Sequence, residues 1–514
     1  PTGVTIDSTR RPRFAVLNRQ VVMVNSPSIN LWIDPYGTVR PMVLPPPESN
    51  PNLATGGGTG LTGAYRCKYS FIIKDPDTDA LIMESPLSPQ SAAFTAANQD
   101  LLASNILTSA YTGISARRLY RTTAGGTSYF IWLDLDGNTL TSITDGMSDA
   151  ALGLAAAATN LGAPPGTRAG TRMKLIVSWR DRLWGVNDDE TERDFIYRSE
   201  PNYFYKWPNS SVLYAKPVGE DSFGVQGFVP RRDELGILKR NRVLKVIGDT
   251  DATFSIVVVA EGIGCVASDS VVVIDDVGYF LGFDGVYSFG PNGLDRISRD
   301  RTHAWFNTDT YFNRAEFDNA VGRYNPQLDL YELLLASPSQ STLNRWLGYD
   351  RRRGIWWGPH KTDGFTPTFA GTFRDSSEII TPIFASSGGY FHYQNRGTHN
   401  DQTDGAVATA VDMDVDTKFH HANTPDIHKM WLQPTWLLSS QSGATGGLVV
   451  TVKTGDLNVA AQASTITVDI TRSRVKSSRL GKGQMLQLNL RHNTISEGFG
   501  IYGYEIPFFE IGRR

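Results

Sequence analysis

Gly278-Tyr279-Phe280-Leu281-Gly282-Phe283-Asp284-Gly285-Val286-Tyr287-Ser288-Phe289 sets an Asp-Gly pair between two short aromatic and aliphatic runs. In polar surroundings such a pair reads as a metal loop or a catalytic carboxylate. A calcium loop needs oxygen ligands at alternating positions, and the neighbours here are Leu281, Phe283, Val286 and Tyr287. Flanked by apolar residues, Asp-Gly is instead the strongest short-range hairpin signal, because both positions of a two-residue turn need positive φ. The stretch therefore predicts strand, turn, strand, with Asp284 as a turn residue.

Similar units recur on both sides. Val21 to Leu44 holds apolar runs broken by Ser-Pro-Ser and Asp-Pro-Tyr-Gly, and Lys174 to Glu200 repeats the form. Glu234 to Val259 reads as three strands joined at Arg240-Asn241 and at Asp249-Thr250-Asp251. Ser270 to Ser298 reads as three more, followed by Asp329 to His360 and Thr381 to Gln394. Short strands separated by Gly, Asn, Asp and Pro turns are an all-β signature. A return of the unit at roughly 40 residues is the period of β-propeller blades, and about six fit.

The totals agree with this reading. A chain of 514 residues, 40% hydrophobic and 20% charged, is ordinary for a globular protein of several domains. With Gly 49, Pro 27 and 11% aromatics it favours many turns over long helices. A formal net charge of -3 excludes a global basic footprint for coating nucleic acid. Cys67 and Cys265 fall in different predicted domains, so no disulfide is expected and a reducing cytoplasm fits. No apolar run approaches the ~20 residues that span a bilayer as a helix. The opening PTGVTIDSTRRPRF lacks the apolar middle of a secretion signal. Pro1 is a residue behind which an initiator Met is removed, so a true N-terminus is expected.

Between Pro45 and Pro165 the texture changes. A Pro- and Gly-rich stretch precedes AYRCKYSFIIKDPDTDALIMESPLSPQS and RRLYRTTAGGTSYFIWLDLDGNTLTSITD, which read as strands of a small sandwich. The Tyr-x-Cys-x-Tyr strand, the ESPLSPQS exit and RRLYRT resemble a fibronectin type III module. SPQSAAFTAANQDLLAS and DGMSDAALGLAAAAT are the helix candidates. After Arg396 a polar stretch gives way to longer, cleanly alternating strands, as in a β-sandwich with one wet face. The predicted organisation is residues 1–46 as N-terminal arm and first blade, 47–172 as an inserted fibronectin-like sandwich, 173–396 as the remaining blades and 397–514 as a C-terminal β-sandwich.

Candidate chemistry is sparse. Gly56 to Gly60 lacks the preceding strand, following helix and Lys-Ser/Thr of a phosphate cradle. His392, His399, His420, His421 and His428 lie close in sequence without metal-site spacing, and with Asp401 and Asp404 they mark the first place to look for a metal. The acidic pairs Asp188-Asp189 and Asp275-Asp276 sit at turns. No sialidase-type Asp box and no Gly-x-Ser-x-Gly elbow occurs. Catalytic, cofactor and metal residues are accordingly expected to be none. Basic clusters stand at Arg10-Arg11-Arg13, Arg231-Arg232, Arg351-Arg352-Arg353 and Arg513-Arg514. The triplet Arg351, Arg352 and Arg353 beside Trp356 and Trp357 is a candidate grip on a phosphate backbone or an acidic neighbour, since Arg suits both.

Several stretches together resemble the tail nozzle, or packaged-DNA stabilisation, proteins of short-tailed bacteriophages. The carriers are WRDRLWGVNDDETERDFIYRSEPNYFYKWP, VGYFLGFDGVYSFGPNGLDRISRD and the ending GYEIPFFEIGRR. The resemblance covers most of the chain from about Lys174 onward and rests on pattern, with no invariant catalytic signature. It implies a non-enzymatic virion protein, assembled in the host cytoplasm as a ring of six copies below the portal and adaptor. Its channel retains and then passes double-stranded DNA without sequence specificity, and its flanks meet tail fibres or a tail tip. A near-neutral lining suits that role, because a basic one grips phosphates until salt releases them. Phe508, Phe509, Arg513 and Arg514, in the apolar ending, are the expected interface residues. The alternative is a glycan-binding or glycan-cleaving propeller for receptor recognition, with Trp356, Trp357, Trp431 and Trp436 stacking on sugar rings.

Overall fold

The computed structural model describes residues 11–512, apart from 25–29, 154–172, 188–192, 216–223, 395–399, 403–407, 440–446, 457–461, 493–499 and gaps of one to three residues elsewhere. The described chain is mainly β. Its contacts divide it into two compact units, Pro1–Arg296 and Ile297–Arg514. That division falls inside the run of predicted blades, not at their ends.

Six antiparallel meander sheets of the propeller-blade type recur along the chain. Blade 1 comprises Arg13–Leu17, Gln20–Val24, Leu31–Ile33 and Val39–Pro41. Blade 2 comprises Met173–Trp179, Arg182–Asn187, Phe195–Arg198 and Val212–Tyr214. Blade 3 runs through Val225–Pro230, Leu235–Lys239, Arg242–Ile247 and Ser255–Glu261. Blade 4 has Val272–Ile274, Val277–Leu281, Val286–Gly290 and Gly293–Arg296. In the second unit, blade 5 has Val321–Asn325, Leu330–Ala336, Leu343–Asp350 and Ile355–Lys361, and blade 6 has three strands, Pro367–Arg374, Ile380–Ser386 and Phe391–Tyr393. From blade 2 onward the blades return about every 50 residues, longer than the expected ~40, because each needs a fourth strand or a longer exit loop.

Within the first unit the opening strands of blades 1, 2, 3 and 4 lie side by side in that order. Sheets stacked on both faces bury every residue of an inner strand, which abolishes the alternation expected of a half-wet sheet. Leu235–Lys239 and Leu330–Ala336 are buried throughout.

The opening stretch is a hairpin, with a different turn from the one its Asp-Gly predicts. Leu281 pairs with Val286, so the link is four residues, Gly282 to Gly285. Of the Asp-Gly pair only Gly285 has positive φ, 154°. The Asp284 carboxylate is engaged elsewhere: it accepts from the Tyr287 hydroxyl at 2.8 Å and from Arg296 Nη1 at 2.8 Å. Two-residue turns with both φ positive occur instead at Asn18-Arg19, Arg180-Asp181 and Asp275-Asp276. These join the first and second strands of blades 1, 2 and 4. The Asp275-Asp276 turn splits the segment read as three strands into four.

The insertion is built from three sheets, a four-stranded one (Tyr129–Asp136, Ala116–Thr122, Cys67–Lys74, Leu81–Glu84), a three-stranded one (Ile143–Asp145, Leu101–Ser104, Asn52–Thr55) and a two-stranded one (Leu61–Tyr65, Phe94–Gln99). Its core is continuous with that of blades 1 and 2, where Trp32 and Phe204 rings lie 5.2 Å apart. The ESPLSPQS segment runs along the free edge of Cys67–Lys74. The N–H groups of Ser85, Ser88 and Ser91 donate to the carbonyls of Phe71, Tyr69 and Cys67. Their hydroxyls accept the N–H of the same three residues at 2.9, 3.1 and 2.9 Å.

The first helix candidate is corrected, and the second is described only in its opening half. SPQSAAFTAANQDLLAS contains the strands Phe94–Gln99 and Leu101–Ser104. Asn98 at φ 55° breaks any helical run, and the Phe94–Gln99 strand pairs with Leu61–Tyr65. DGMSDAALGLAAAAT shows one 3₁₀ turn, Asp149–Ala151, and its remainder from residue 154 lies outside the described residues.

In the second unit, beyond the blades, a four-stranded sheet ordered Met413–Asp416, Met485–His492, Gly447–Gly455, Gln462–Asp469 accompanies two three-stranded sheets. Leu448, Val450, Val452, Leu486, Leu488 and Leu490 from the first meet Trp431, Trp436 and Leu438 from the others in one core.

Candidate functional site

The Arg triplet forms the tip between the last two strands of blade 5, in a link closed by the Gly354 N–H donating to the Asp350 carbonyl at 2.8 Å. Two carboxylates receive the three guanidiniums. Arg351 Nη1 lies 2.7 Å from Asp329 Oδ1 and Arg352 Nε 3.0 Å from Asp329 Oδ2, while Arg353 Nη1 lies 3.1 Å from Asp350 Oδ2. Burial pushes the Asp329 carboxyl up, but bonds from Arg352 and Tyr324 and the charge of Arg351 outweigh it and hold the group below the usual carboxylate range. The N–H groups of Arg353 and Arg352 do the same for Asp350. Arg352 and Arg353 remain 80% and 68% exposed. The tip is thus a pinned basic surface with Arg351 tucked beneath.

The other sequence-selected residues scatter. Phe508 and Phe509 lie on the strand Phe508–Gly512, which pairs with His428–Trp431, and both are exposed. Phe508 also meets the Trp431 ring at 5.5 Å. Arg513 and Arg514 lie outside the described residues, as do Arg10, His399, Asp404 and the Asp188-Asp189 pair. His392 stacks on Phe365 at 3.8 Å, His420 Nε2 lies 2.9 Å from the Tyr504 hydroxyl and His428 Nε2 lies 3.4 Å from Asp456. Among the described residues no three His, Cys, Asp or Glu side chains group as metal ligands. Trp431 and Trp436 are buried in the sandwich core, out of reach of a sugar, whereas Trp357 is exposed. The Gly56–Gly60 loop joins two strands and folds over Asp100, whose carboxylate occupies the space a Gly58 Cβ would need. Both thiols are buried, which pushes Cys67 and Cys265 each up to about 12.

Two arrangements escaped sequence reasoning. The first is a set of braces from blade 2 to blade 3, from blade 3 to blade 4 and, in the second unit, from blade 5 to blade 6. From blade 2, Trp179 Nε1 donates to the Arg231 carbonyl at 2.5 Å, and Arg182 Nη2 and Arg198 Nε reach the two oxygens of Asp251 in blade 3 at 2.9 and 2.6 Å. Arg180 pairs with Asp249 of blade 3. From blade 3, the Arg232 N–H donates to Asp276 Oδ1 of blade 4 at 2.9 Å and Arg231 lies over the Phe289 ring at 5.3 Å. In the second unit, Arg323 of blade 5 is buried against Glu332, donates to the Ile383 carbonyl of blade 6 at 2.7 Å and stacks 4.1 Å over Phe384.

The second is a polar cluster where the opening strands of blades 1 to 4 begin. Arg11 Nη1 lies 2.5 Å from one oxygen of Asp269, and Arg13 Nη2 pairs with the other. Gln226 Oε1 receives Lys174 Nζ at 3.4 Å and the Ser268 hydroxyl at 3.0 Å. Such pairings span up to 258 residues of sequence, and no local spacing signals them.

No family model matches the chain, and no curated protein matches it. Among solved structures it is similar to BBS1N, in a crystal structure of its complex with ARL6DN soaked with mercury. The TM-score is 0.26 and the identity 10%, over 66% of this chain and 94% of that one. A likeness of that degree carries no argument about what this chain does.

Proposed function

We propose that the chain is a structural virion protein: a tail nozzle whose blades form the wall of a ring below the portal and adaptor. The ring, of six copies, encloses the DNA channel, retains the packaged genome, passes it during ejection and offers flanks to tail fibres or a tip. In this reading the chain is no enzyme and takes no cofactor.

One observation carries the reading. Four residues of the first stretch through which the sequence resembles nozzle proteins are brace residues. Trp179, Arg180, Arg182 and Arg198 all belong to that signature, and all four tie blade 2 to blade 3. Within the second carrier, Asp284 and Arg296 tie the last strand of blade 4 to its hairpin tip. A chain whose distinctive residues stiffen sheets against one another suits a passive wall under load.

The strand Phe508–Gly512, with Phe509 and Ile511 exposed on one face, suits an assembly contact. Deleting Phe508 to Arg514 is expected to abolish incorporation into virions while leaving the first unit folded, as read by particle composition and by circular dichroism of the purified chain. Normal incorporation of the truncated chain contradicts the assignment.

A further inference from the structure

We propose that the last strand of blade 3, Ser255–Glu261, is a docking edge for the same strand of a second copy of this chain. The strand closes the free side of its sheet, and among the described residues no further strand pairs with it. Ser255 to Val258 run in regular register opposite Ile247 to Leu244, and the one irregularity falls beyond them, at Val259. Successive side chains of a strand point to opposite faces. Val257 on one face is 38% exposed and Val258 on the other 50%, so the edge is open on both faces. Ile247, paired with Ser255 and also exposed, extends the apolar surface inward.

A bare edge is a template for another strand, and folded proteins blunt theirs by shortness, charge or proline. The other blades do so. Their last strands have three residues in blades 1, 2 and 6, four with Asp295 and Arg296 in blade 4, and Pro359 within Ile355–Lys361 in blade 5. Among these described strands, only that of blade 3 sets Ile256, Val257, Val258 and Val259 in a row without a proline. Such β-branched residues fit a pleated sheet and give a partner strand side chains to pack against.

Charge selects the occupant. The one ionisable side chain of the strand, Glu261, already receives Arg242 Nη2 at 3.2 Å. The edge therefore offers little to a nucleic acid or a charged segment and suits an uncharged, β-branched strand. A second copy supplies that strand. Its two-fold axis passes through Val257 or Val258, the two most exposed apolar positions. In either antiparallel register Glu261 falls opposite an uncharged residue, Thr253 or Ser255, so no like charges meet. The contact is isologous, each copy giving the same surface.

An edge of seven residues is small against the ~1,200 Å² of a stable interface, so a weak pairing is expected, with a Kd of about 10–100 µM. Sedimentation of the full chain across that range is expected to show the mass of the sedimenting species double as concentration rises. Val258→Lys places a charge on the edge and should weaken the doubling at least about tenfold. Val449→Lys, at an exposed valine of the second unit, should leave it unchanged. Thermal unfolding checks that both variants fold. Because Cys67 and Cys265 are buried, an added thiol reports on its own surroundings. Opposite residues hold their Cβ atoms about 4.5–5.5 Å apart and diagonal ones about 7–8 Å. Under mild oxidation one of Val257→Cys and Val258→Cys should link two copies and the other should not. A mass independent of concentration, a doubling that survives Val258→Lys, or linkage of both or neither cysteine variant overturns the proposal. The inference does not rest on the nozzle reading: a ring that fails to double, or a pair without a ring, separates the two.

Discussion

Asp251 carries two arginines on its two oxygens and joins two sheets. Burial raises its carboxyl, but the Arg198 bond and the Arg182 charge outweigh that and hold it below the usual carboxylate range. A depressed folded pKa means that the group stabilises the fold above the unfolded value of ~3.9 and that this contribution is lost as pH falls below it. The carboxylate is half exposed, so screening limits the contribution to about 1 kcal/mol. Denaturant unfolding of Asp251→Asn at pH 7 is expected to show a loss of that order, and the gap from the unsubstituted chain is expected to narrow as pH falls below the unfolded value of ~3.9. A gap that widens in acid contradicts the linkage. His360 has the opposite chemistry with the same slope. Burial against Trp346 lowers its pKa, so the folded chain holds it neutral, and stability is expected to fall as pH drops below ~6.5. His360→Gln should flatten that step in a pH series of melting temperatures; an unchanged step places the titration elsewhere.

Two elements depend on pairings that no single strand contains. In the insertion, the hydroxyl of each buried serine in Ser85-Pro-Leu-Ser88-Pro-Gln-Ser91 accepts the N–H of a residue in Cys67–Lys74. Ser88→Ala orphans the Tyr69 N–H in a buried setting, and an unfolding free-energy loss of about 1–3 kcal/mol is expected. A loss within error shows that the edge is closed by the backbone alone. In blade 5, Glu332→Gln leaves Arg323 buried without its carboxylate. Removing one partner of a buried pair costs about 3–5 kcal/mol, whereas replacing both by apolar residues of similar volume is near neutral. Urea midpoints of Glu332→Gln and of the double substitution Arg323→Met with Glu332→Leu should therefore differ in that order. Equal midpoints mean that the pair contributes nothing beyond packing.

Strand positions were legible in the sequence because each is short, apolar and bounded by turn residues, as at Arg240-Asn241 and Gly282 to Gly285. Turn type was not, because the Asp284 carboxylate answers to Arg296, twelve residues on. The small-residue segment around Phe94 misleads for a related reason: its alanines favour a helix in isolation, and pairing with Leu61–Tyr65 overrides that preference. The Arg351 to Arg353 tip was legible as a basic turn, while its anchoring on Asp329 depends on a neighbouring hairpin. The blade braces and the Arg13 cluster join residues from 42 to 258 apart, and such contacts leave no periodic trace.

For the whole molecule, the central claim is that stiffened, short sheets form a passive wall around a DNA path. Electron microscopy of the purified chain, and of particles that carry it, tests this most directly. The account predicts a closed ring of identical copies with an open centre of duplex width, continuous with the portal axis in particles. Isolated monomers, or copies placed off the axis with no channel between them, contradict it.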